Sequence, residues 1–338
     1  MSRSHATTTL AALLFSVAVP LTATAAPQVL FRADSLPDTV DVSPGDGVCM
    51  DANGNCSLRA AIQECNALGG GSIQLAFAMG YALQLAGSGE DFAASGDLDV
   101  RAPIAIYGNS ATLDAAGLDR AFDVRPGGSL EVSDLTVVNG LVTAASGGGF
   151  RNAGTLTLSR CIALDNSAVG AGASGGAVFN DGGVLNVSSS TLASGSAERA
   201  GGAIEANGGV TTIEFSDLVS NTAGPTPGNG GALHLTGDGD VFIRFTRIEG
   251  NVASREGGGL WNSSAGFMSV FVSEVAANMA LGTAADDGGG GLFNDGGVLA
   301  VSFSQIRDNA AVGGSSSGGG LFNNDGILDL FQCGVGDN

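Results

Sequence analysis

From residue 147 onward a Gly-Gly-(Gly/Ala)-apolar tetrad recurs, its second glycine falling at Gly148, Gly176, Gly202, Gly231, Gly258, Gly290 and Gly319, with gaps of 28, 26, 29, 27, 32 and 29 residues. An Asn follows each tetrad at a nearly constant interval, at Asn166, Asn221, Asn251, Asn278, Asn309 and Asn338, with Gly195 holding the slot in the second repeat. Two markers in fixed register define one structural unit, repeated seven times.

Counting back from the Asn identifies that unit. The positions ten and eight residues before it are almost wholly apolar, as in Leu156 and Leu158, Leu185 and Val187, or Val241 and Ile243. The position between them is mixed and mostly polar, as in Thr157, Asn186 and Thr212. This is the period of a β-strand with one inward face. Further apolar columns stand three residues before the Asn (Leu192, Leu218, Ile248) and at the last tetrad position (Phe150, Val178, Ile204). Each repeat therefore predicts three short strands, and none has the helical spacing that a leucine-rich or helical repeat requires. A coil of three strands closes on itself, and stacked coils pair like strands at about 4.8 Å while merging the inward columns into one core. The predicted fold is all-β, a right-handed parallel β-helix. Its glycines mark corners, and the recurring Asn is predicted to bond up and down the stack as a structural ladder.

The preceding region, 27–140, carries extended runs such as Ile104–Tyr107 and Leu130–Val138 and reads as first, less regular coils. One helix interrupts them. Ser57 is an N-cap, Leu58, Ile62 and Cys65 share a face, and Gly69-Gly70-Gly71 ends the element. A short amphipathic helix there is suited to cap the open end of the core. Residues 141–338 are then the seven-coil body. Because Asn338 ends it in mid-coil with no polar capping repeat, the expectation is that the chain continues or that this end is covered.

Cys49, the run Cys56-Ser57-Leu58-Arg59-Ala60-Ala61-Ile62, Leu85 to Asp91 and Gly96-Asp97-Leu98-Asp99 together resemble the bacterial secreted proteins named for a Cys-Ser-Leu-Arg-Glu-Ala N-terminal domain, with Ala60 where the name has Glu. The repeats are similar to those of chlamydial polymorphic outer-membrane proteins. These resemblances imply a secreted or cell-surface, adhesin-like role. They cover the first 140 residues and the repeats respectively.

Export is also expected from the amino terminus, where Arg3, an apolar run from Leu10 to Leu21 and small residues to Ala26 make a signal peptide over 1–26. No later stretch approaches the about 20 apolar residues of a spanning helix. An oxidising destination makes a Cys49–Cys56 disulfide the economical reading of the turn they bracket, with Cys65 a small core residue. Cys161 and Cys333 fall in a column otherwise made of Ser and Thr and read as free thiols replacing hydroxyls.

All 13 basic residues are Arg, against 33 acidic ones, and loss of Arg3 with the signal leaves 12 − 33 = −21. Such a surface repels phosphate backbones, so no nucleic acid is expected as a partner; glycans or cell-surface proteins remain. No resident cofactor is expected. Asp51, Asn53 and Asn55 open like a calcium loop, but Cys56 and Ile62 stand where that motif needs Gly and Glu, so a solvated turn is the better reading. Asp286-Asp287 and Asp238-Gly239-Asp240 are loop pairs with the chemistry to hold Ca²⁺ weakly, or to be simply solvated.

The pectin-lyase-like fold class also contains polysaccharide lyases and hydrolases, which is the alternative function. The residues argue against it. Asn323-Asn324-Asp325 and Asp286-Asp287 imitate two hydrolase motifs in the wrong order, the one His beyond the signal is His234, and there is no Lys. No catalytic residue is assigned, and the first reading is a non-enzymatic surface scaffold. Length variation between repeats concentrates between the marker Asn and the next Gly-Gly pair, so insertions project from one edge, which in repeat proteins is often the binding face. Beside it, on the outward side of the tetrad strand, stand Arg151, Phe179, Glu205, His234, Trp261, Phe293 and Phe322. As an exposed column, Phe179, His234, Trp261, Phe293 and Phe322 would stack on sugar rings or dock a partner; otherwise they stack on each other under the neighbouring loops.

Overall fold

The computed structural model describes residues 29–338, so the export signal expected at 1–26 lies outside the described residues. The chain is a parallel β-helix. Thr155–Ser159 pairs in parallel with Val184–Ser188, that strand with Val210–Glu214, and so on to Ile327–Phe331, forming a long-strand sheet. A second stack of three-residue strands follows a tight corner, with Ile162–Leu164 on Thr191–Ala193 on Asp217–Val219. The tetrad strands build a nine-stranded sheet from Leu98–Val100 to Leu321–Asn324. Alternation along each strand puts Leu156 and Leu158, and their equivalents in the coils before the last, into one core that runs without a break from Phe31 to Ile306, across residue 140.

The count of three strands per coil needs correction. The residues just after the marker Asn form a fourth, seven-stranded stack, including Ser167–Val169, Ser196–Ala197 and Thr222–Ala223. Its inward position is alanine in coil after coil (Ala168, Ala197, Ala223, Ala253, Ala280), all buried. Val142 holds the same buried position in the first strand of the stack, and the coils that follow take alanine because the coil is pinched there. A Cβ on Gly176 would meet the Ser196 nitrogen at 2.5 Å, and one on Gly202 the Thr222 nitrogen at 2.5 Å. The second tetrad glycine is thus demanded by close backbone approach, and the first by its left-handed φ, between +61° and +79° across the repeats. Two-residue strands have too short a period to announce themselves in sequence.

The marker Asn forms the expected ladder. Asn221 accepts from Gly195 N, and Asn251 Oδ1 accepts from both Asn221 N and Asn221 Nδ2 at 2.9 Å. Asn278, Asn309 and Asn338 continue the chain of bonds. The Ser/Thr column forms a second ladder, Ser190 Oγ accepting from Cys161 N and Ser216 Oγ from Ser190 N. Cys161 and Cys333 stand in it as free thiols, each with Sγ toward the carbonyls where a hydroxyl would donate. A third ladder had no counterpart in the sequence reading. Two residues beyond the tetrad apolar position, Asn152 donates to Asn180, and Asn262 to Asn294 to Asn323. Where Ala206 and Leu235 interrupt it, Thr211 accepts from Asn180 Nδ2 at 3.2 Å, which explains a polar residue in an otherwise apolar column.

Helix α1 (Leu58–Leu68) starts on Ser57, whose side chain accepts from Ala60 N, and stops at Gly69 with φ +80°. It packs over the first coil through Leu58, Ile62 and Cys65, as a cap should. It is not amphipathic in use, because every residue from Leu58 to Cys65 is buried. The segment before it lies over its outer face, where Arg59 grips Asp38 at 2.6 Å and the carbonyl of Gly96 at 2.8 Å. Gln63 accepts from Asp41 N, and Glu64 from Gly45 N and Gly47 N. The motif arginine is therefore a buried tie between three segments. Cys49 and Cys56 form the disulfide that staples this overlying segment. The turn between them is solvated over 52–55, while Asp51 at its start is buried, accepting from Asn53 N, Asn55 N and Thr39 Oγ1. At the last coil, Leu330 and Val335 of the inward columns are exposed. Among the described residues no helix is long and apolar enough to cross a membrane.

Candidate functional site

The outward column of the tetrad sheet begins earlier than the tetrads do. Asp99 stands beside Asp123, Asp123 beside Arg151, and Arg151 beside Phe179, one coil apart each time. The column then continues through Glu205, His234, Trp261, Phe293 and Phe322.

Its far half is packed, which corrects the reading of an exposed aromatic face. Phe293 is 2% exposed and His234 4%. The His234 and Trp261 rings stack at 4.2 Å, Trp261 and Phe293 at 6.3 Å, and Phe293 and Phe322 at 5.1 Å, all within 15° of parallel. The glycine corner of each coil lies against the column: a Cβ on Gly257 would touch Trp261 Cβ at 3.1 Å, and one on Gly289 would touch Phe293 Cβ at 3.0 Å. The polar atoms are paired inside it as well. Glu205 is fully buried, with His234 Nδ1 3.0 Å from Oε2, Thr236 Oγ1 2.6 Å and Arg199 Nη1 3.4 Å from Oε1. Burial works to raise the Glu205 pKa, yet His234, Thr236 and Arg199 overcome it and hold the carboxyl below its ordinary value. Trp261 Nε1 donates to Glu256 Oε2 at 3.0 Å, and Asn229 Nδ2 donates to the same oxygen at 3.1 Å.

The insertion loops are tied down by the same kind of bond. Asp287 is buried, accepting from Arg255 Nε at 2.8 Å and from Ala284 N at 2.8 Å, while its neighbour Asp286 is exposed. The pair does not converge on one site, and Asp287 acts as a loop staple. Among the described residues there is no cluster of three or more His, Cys, Asp or Glu side chains with metal-holding geometry.

The near half of the column opens into a cleft of about 800 Å³, lined by Glu90, Asp91, Asp97, Asp119 and Asp123, by Arg120, Arg125 and Arg151, and by Phe179 with the strand Leu141–Thr143. Asp123 is its centre. Its carboxylate meets Arg120 at 3.4 Å, Arg125 at 3.0 Å and Arg151 at 3.2 Å, and Arg151 reaches on to Asp181. Burial pushes Asp97 up to about 8, against the pull of Arg120 3.4 Å away, and nearby Asp99, Asp119 and Asp123 add to the rise. Burial likewise lifts Asp99 to about 7 and raises Asp119.

No known family model matches the chain, and no curated protein matches it either. The site must be read from its own chemistry. At neutral pH, with Asp97 protonated, the lining sums to 3 − 4 = −1, in a chain of net charge −20. The cleft is a locally neutral patch of planar hydrogen-bonding groups with one aromatic ring at its edge.

The expected binding residues divide accordingly. Phe179 lines the cleft, whereas His234, Trp261, Phe293 and Phe322 belong to the packed half of the column. The sequence reading missed the cleft because it began the column at Arg151. Leu98-Asp99-Val100 and Phe122-Asp123-Val124 repeat the pattern of Phe150-Arg151-Asn152, and aligning the three triplets would have extended the column.

Proposed function

We propose that the protein is an exported, non-enzymatic β-helix scaffold of adhesin-like type that holds neutral glycans in the cleft around Asp123. One observation carries this: the cleft sets three guanidiniums against five carboxyls, and with Asp97 protonated the lining carries only −1 in a chain of net charge −20. Acidic polysaccharides require a basic groove, and cationic partners an unpaired acidic one. Paired planar carboxylate and guanidinium groups offer many donors and acceptors to hydroxyls without a net charge, and Phe179 adds a ring against which an apolar sugar face stacks. The signal-like amino terminus, the Cys49–Cys56 disulfide and the resemblance to secreted and surface proteins support export. The packing of His234 against Trp261 and Glu205 supports a structural role for that histidine.

Calorimetry of the purified protein against neutral and acidic oligosaccharides tests this reading. Binding of a neutral series is expected, weakened at least about tenfold by Arg151→Gln or Phe179→Ser. Binding of acidic oligomers alone refutes it.

The second reading, a polysaccharide hydrolase or lyase, is favoured by Asp97, a carboxyl raised to about 8 beside Asp119 and Asp123 in a cleft. Reducing ends or unsaturated products that disappear in Asp97→Asn would establish that reading instead.

A further inference from the structure

The corner between the long-strand sheet and the next stack holds a residue in the left-handed region in every coil of the body. Its column reads Arg160, Ser189, Phe215, Phe245, Val272, Phe303 and Gln332, with φ between +45° and +53°. Bulky and β-branched residues are disfavoured there, and an exposed apolar side chain gains nothing from water. Arg160, Ser189 and Gln332 show that the fold itself does not call for apolar groups at this corner. Four successive coils nevertheless carry them.

These side chains are open to solvent. Phe215 is 60% exposed, Phe245 45%, Val272 39% and Phe303 46%, and Phe331, the last long-strand residue of the next coil, is 52% exposed. They make a continuous ridge: Phe215 stacks on Phe245 at 4.8 Å, and edge contacts run from Phe245 through Phe271 to Phe303 and from Phe303 to Phe331. The facing sides of Phe215 and Phe245 are spent on each other, 2° from parallel.

We infer that this ridge is a self-association surface on which the same ridge of a second copy of the chain packs. Charge selects that occupant. Two bodies of net charge −20 repel, and the repulsion is least where charges are already paired. Along the ridge they are: Arg244 with Glu214 at 3.0 Å, Arg247 with Asp217 at 2.8 Å, and Arg307 with Glu274 at 2.5 Å. Each carboxylate here has an arginine partner, Glu249 sharing Arg247 with Asp217 and Asp308 sharing Arg307 with Glu274, so a strongly basic partner would find none unpaired. Area agrees. At roughly 100 Å² of open surface per half-exposed phenyl ring, the ridge offers roughly 450 Å² per copy, and two copies approach the about 1,000 Å² of a specific though weak interface. An apolar strip facing itself is also self-complementary, as a two-fold interface requires.

Sedimentation velocity from about 1 µM to about 200 µM tests the inference, with the purified full protein beside Phe245→Ser/Phe303→Ser. Ser189 already occupies this corner, so the double variant is expected to keep the wild-type circular dichroism and melting curve. A concentration-dependent dimer whose dissociation constant rises at least about tenfold in the variant supports the inference. A monomer throughout the range overturns it. So does association that survives in the variant, which would place the contact elsewhere, such as the last coil. Flotation with neutral phosphatidylcholine vesicles that depends on the same two rings, with no dimer in solution, would overturn it in favour of a lipid surface.

Discussion

Replacing Asn251 by Ala breaks the marker ladder at its middle. The Asn251 side chain is fully buried and makes four bonds of 2.9 Å: Oδ1 accepts from Asn221 N and Asn221 Nδ2, and Nδ2 donates to Leu218 O and Asn278 Oδ1. Truncation leaves the backbone N–H of Asn221 buried without this acceptor, a loss of about 1–3 kcal/mol, and removes further bonds worth about 1 kcal/mol each. A total of about 4–6 kcal/mol is expected, far above an exposed control such as Asn207→Ala. Asn251→Asp sharpens the test. At neutral pH it buries a carboxylate with no cation beside it and turns the contacts to Leu218 O and Asn278 Oδ1 into acceptor–acceptor pairs, so it costs more than Ala. Its folded-state pKa is therefore raised, which means that its stability is fully present below the unfolded value of about 4 and is lost as pH rises. Urea unfolding followed by far-ultraviolet circular dichroism at acidic and neutral pH reads both effects. Asn251→Ala within about 0.5 kcal/mol of wild type, or Asn251→Asp gaining stability as pH rises, would refute the ladder as a source of stability.

Asp97 has a folded-state value of about 8 against an ordinary 3.8, so the folded chain holds its proton more tightly; stability from this group is complete below about pH 4 and falls as pH rises toward 8. Asp97→Asn should flatten that slope in melting temperature against pH, and an unchanged slope would deny the shift. Removing the disulfide with Cys49→Ala/Cys56→Ala opens a loop with a sequence separation of 7 and should cost about 2 kcal/mol, read as earlier protease cleavage within 34–57. Trp261→Ser empties a stacked site and removes one of the two donors to Glu256 Oε2, so a loss of about 3–5 kcal/mol is expected in urea unfolding. A loss under about 1 kcal/mol would mean that the column is not load-sharing core.

The sequence was most legible where every coil repeats the same demand. The Gly-Gly corners, the marker Asn and the Leu156/Leu158 columns each recur because parallel stacking places equivalent residues on top of one another. The alanine stack was hidden because two-residue strands have no measurable period, although Ala168, Ala197 and Ala223 all stand two residues past the marker slot. The burial of His234 and Phe293 was misjudged for a different reason. Strand alternation says which side of a sheet a residue leaves from, but not what lies over that side, and here the glycine corners and stacked neighbours cover it. The cleft was only partly within reach: the triplet register leads the column back to Asp99 and Asp123, but no spacing rule brings in the loop of Glu90 and Asp91 or the turn of Asp119. Arg59 shows the converse. Its motif was recognised, while its role as a buried tie to Asp38 and Gly96 needed coordinates.

The claim that the cleft, and not the aromatic column, meets the ligand is tested most directly by amide hydrogen exchange. The protein would be compared with and without the neutral oligosaccharide that binds it tightest. New protection confined to residues 88–91, 97, 117–125, 141–151 and 179 is the predicted result. Protection absent there and present instead at the strands of His234, Trp261, Phe293 and Phe322 would contradict the account and return the ligand to the column.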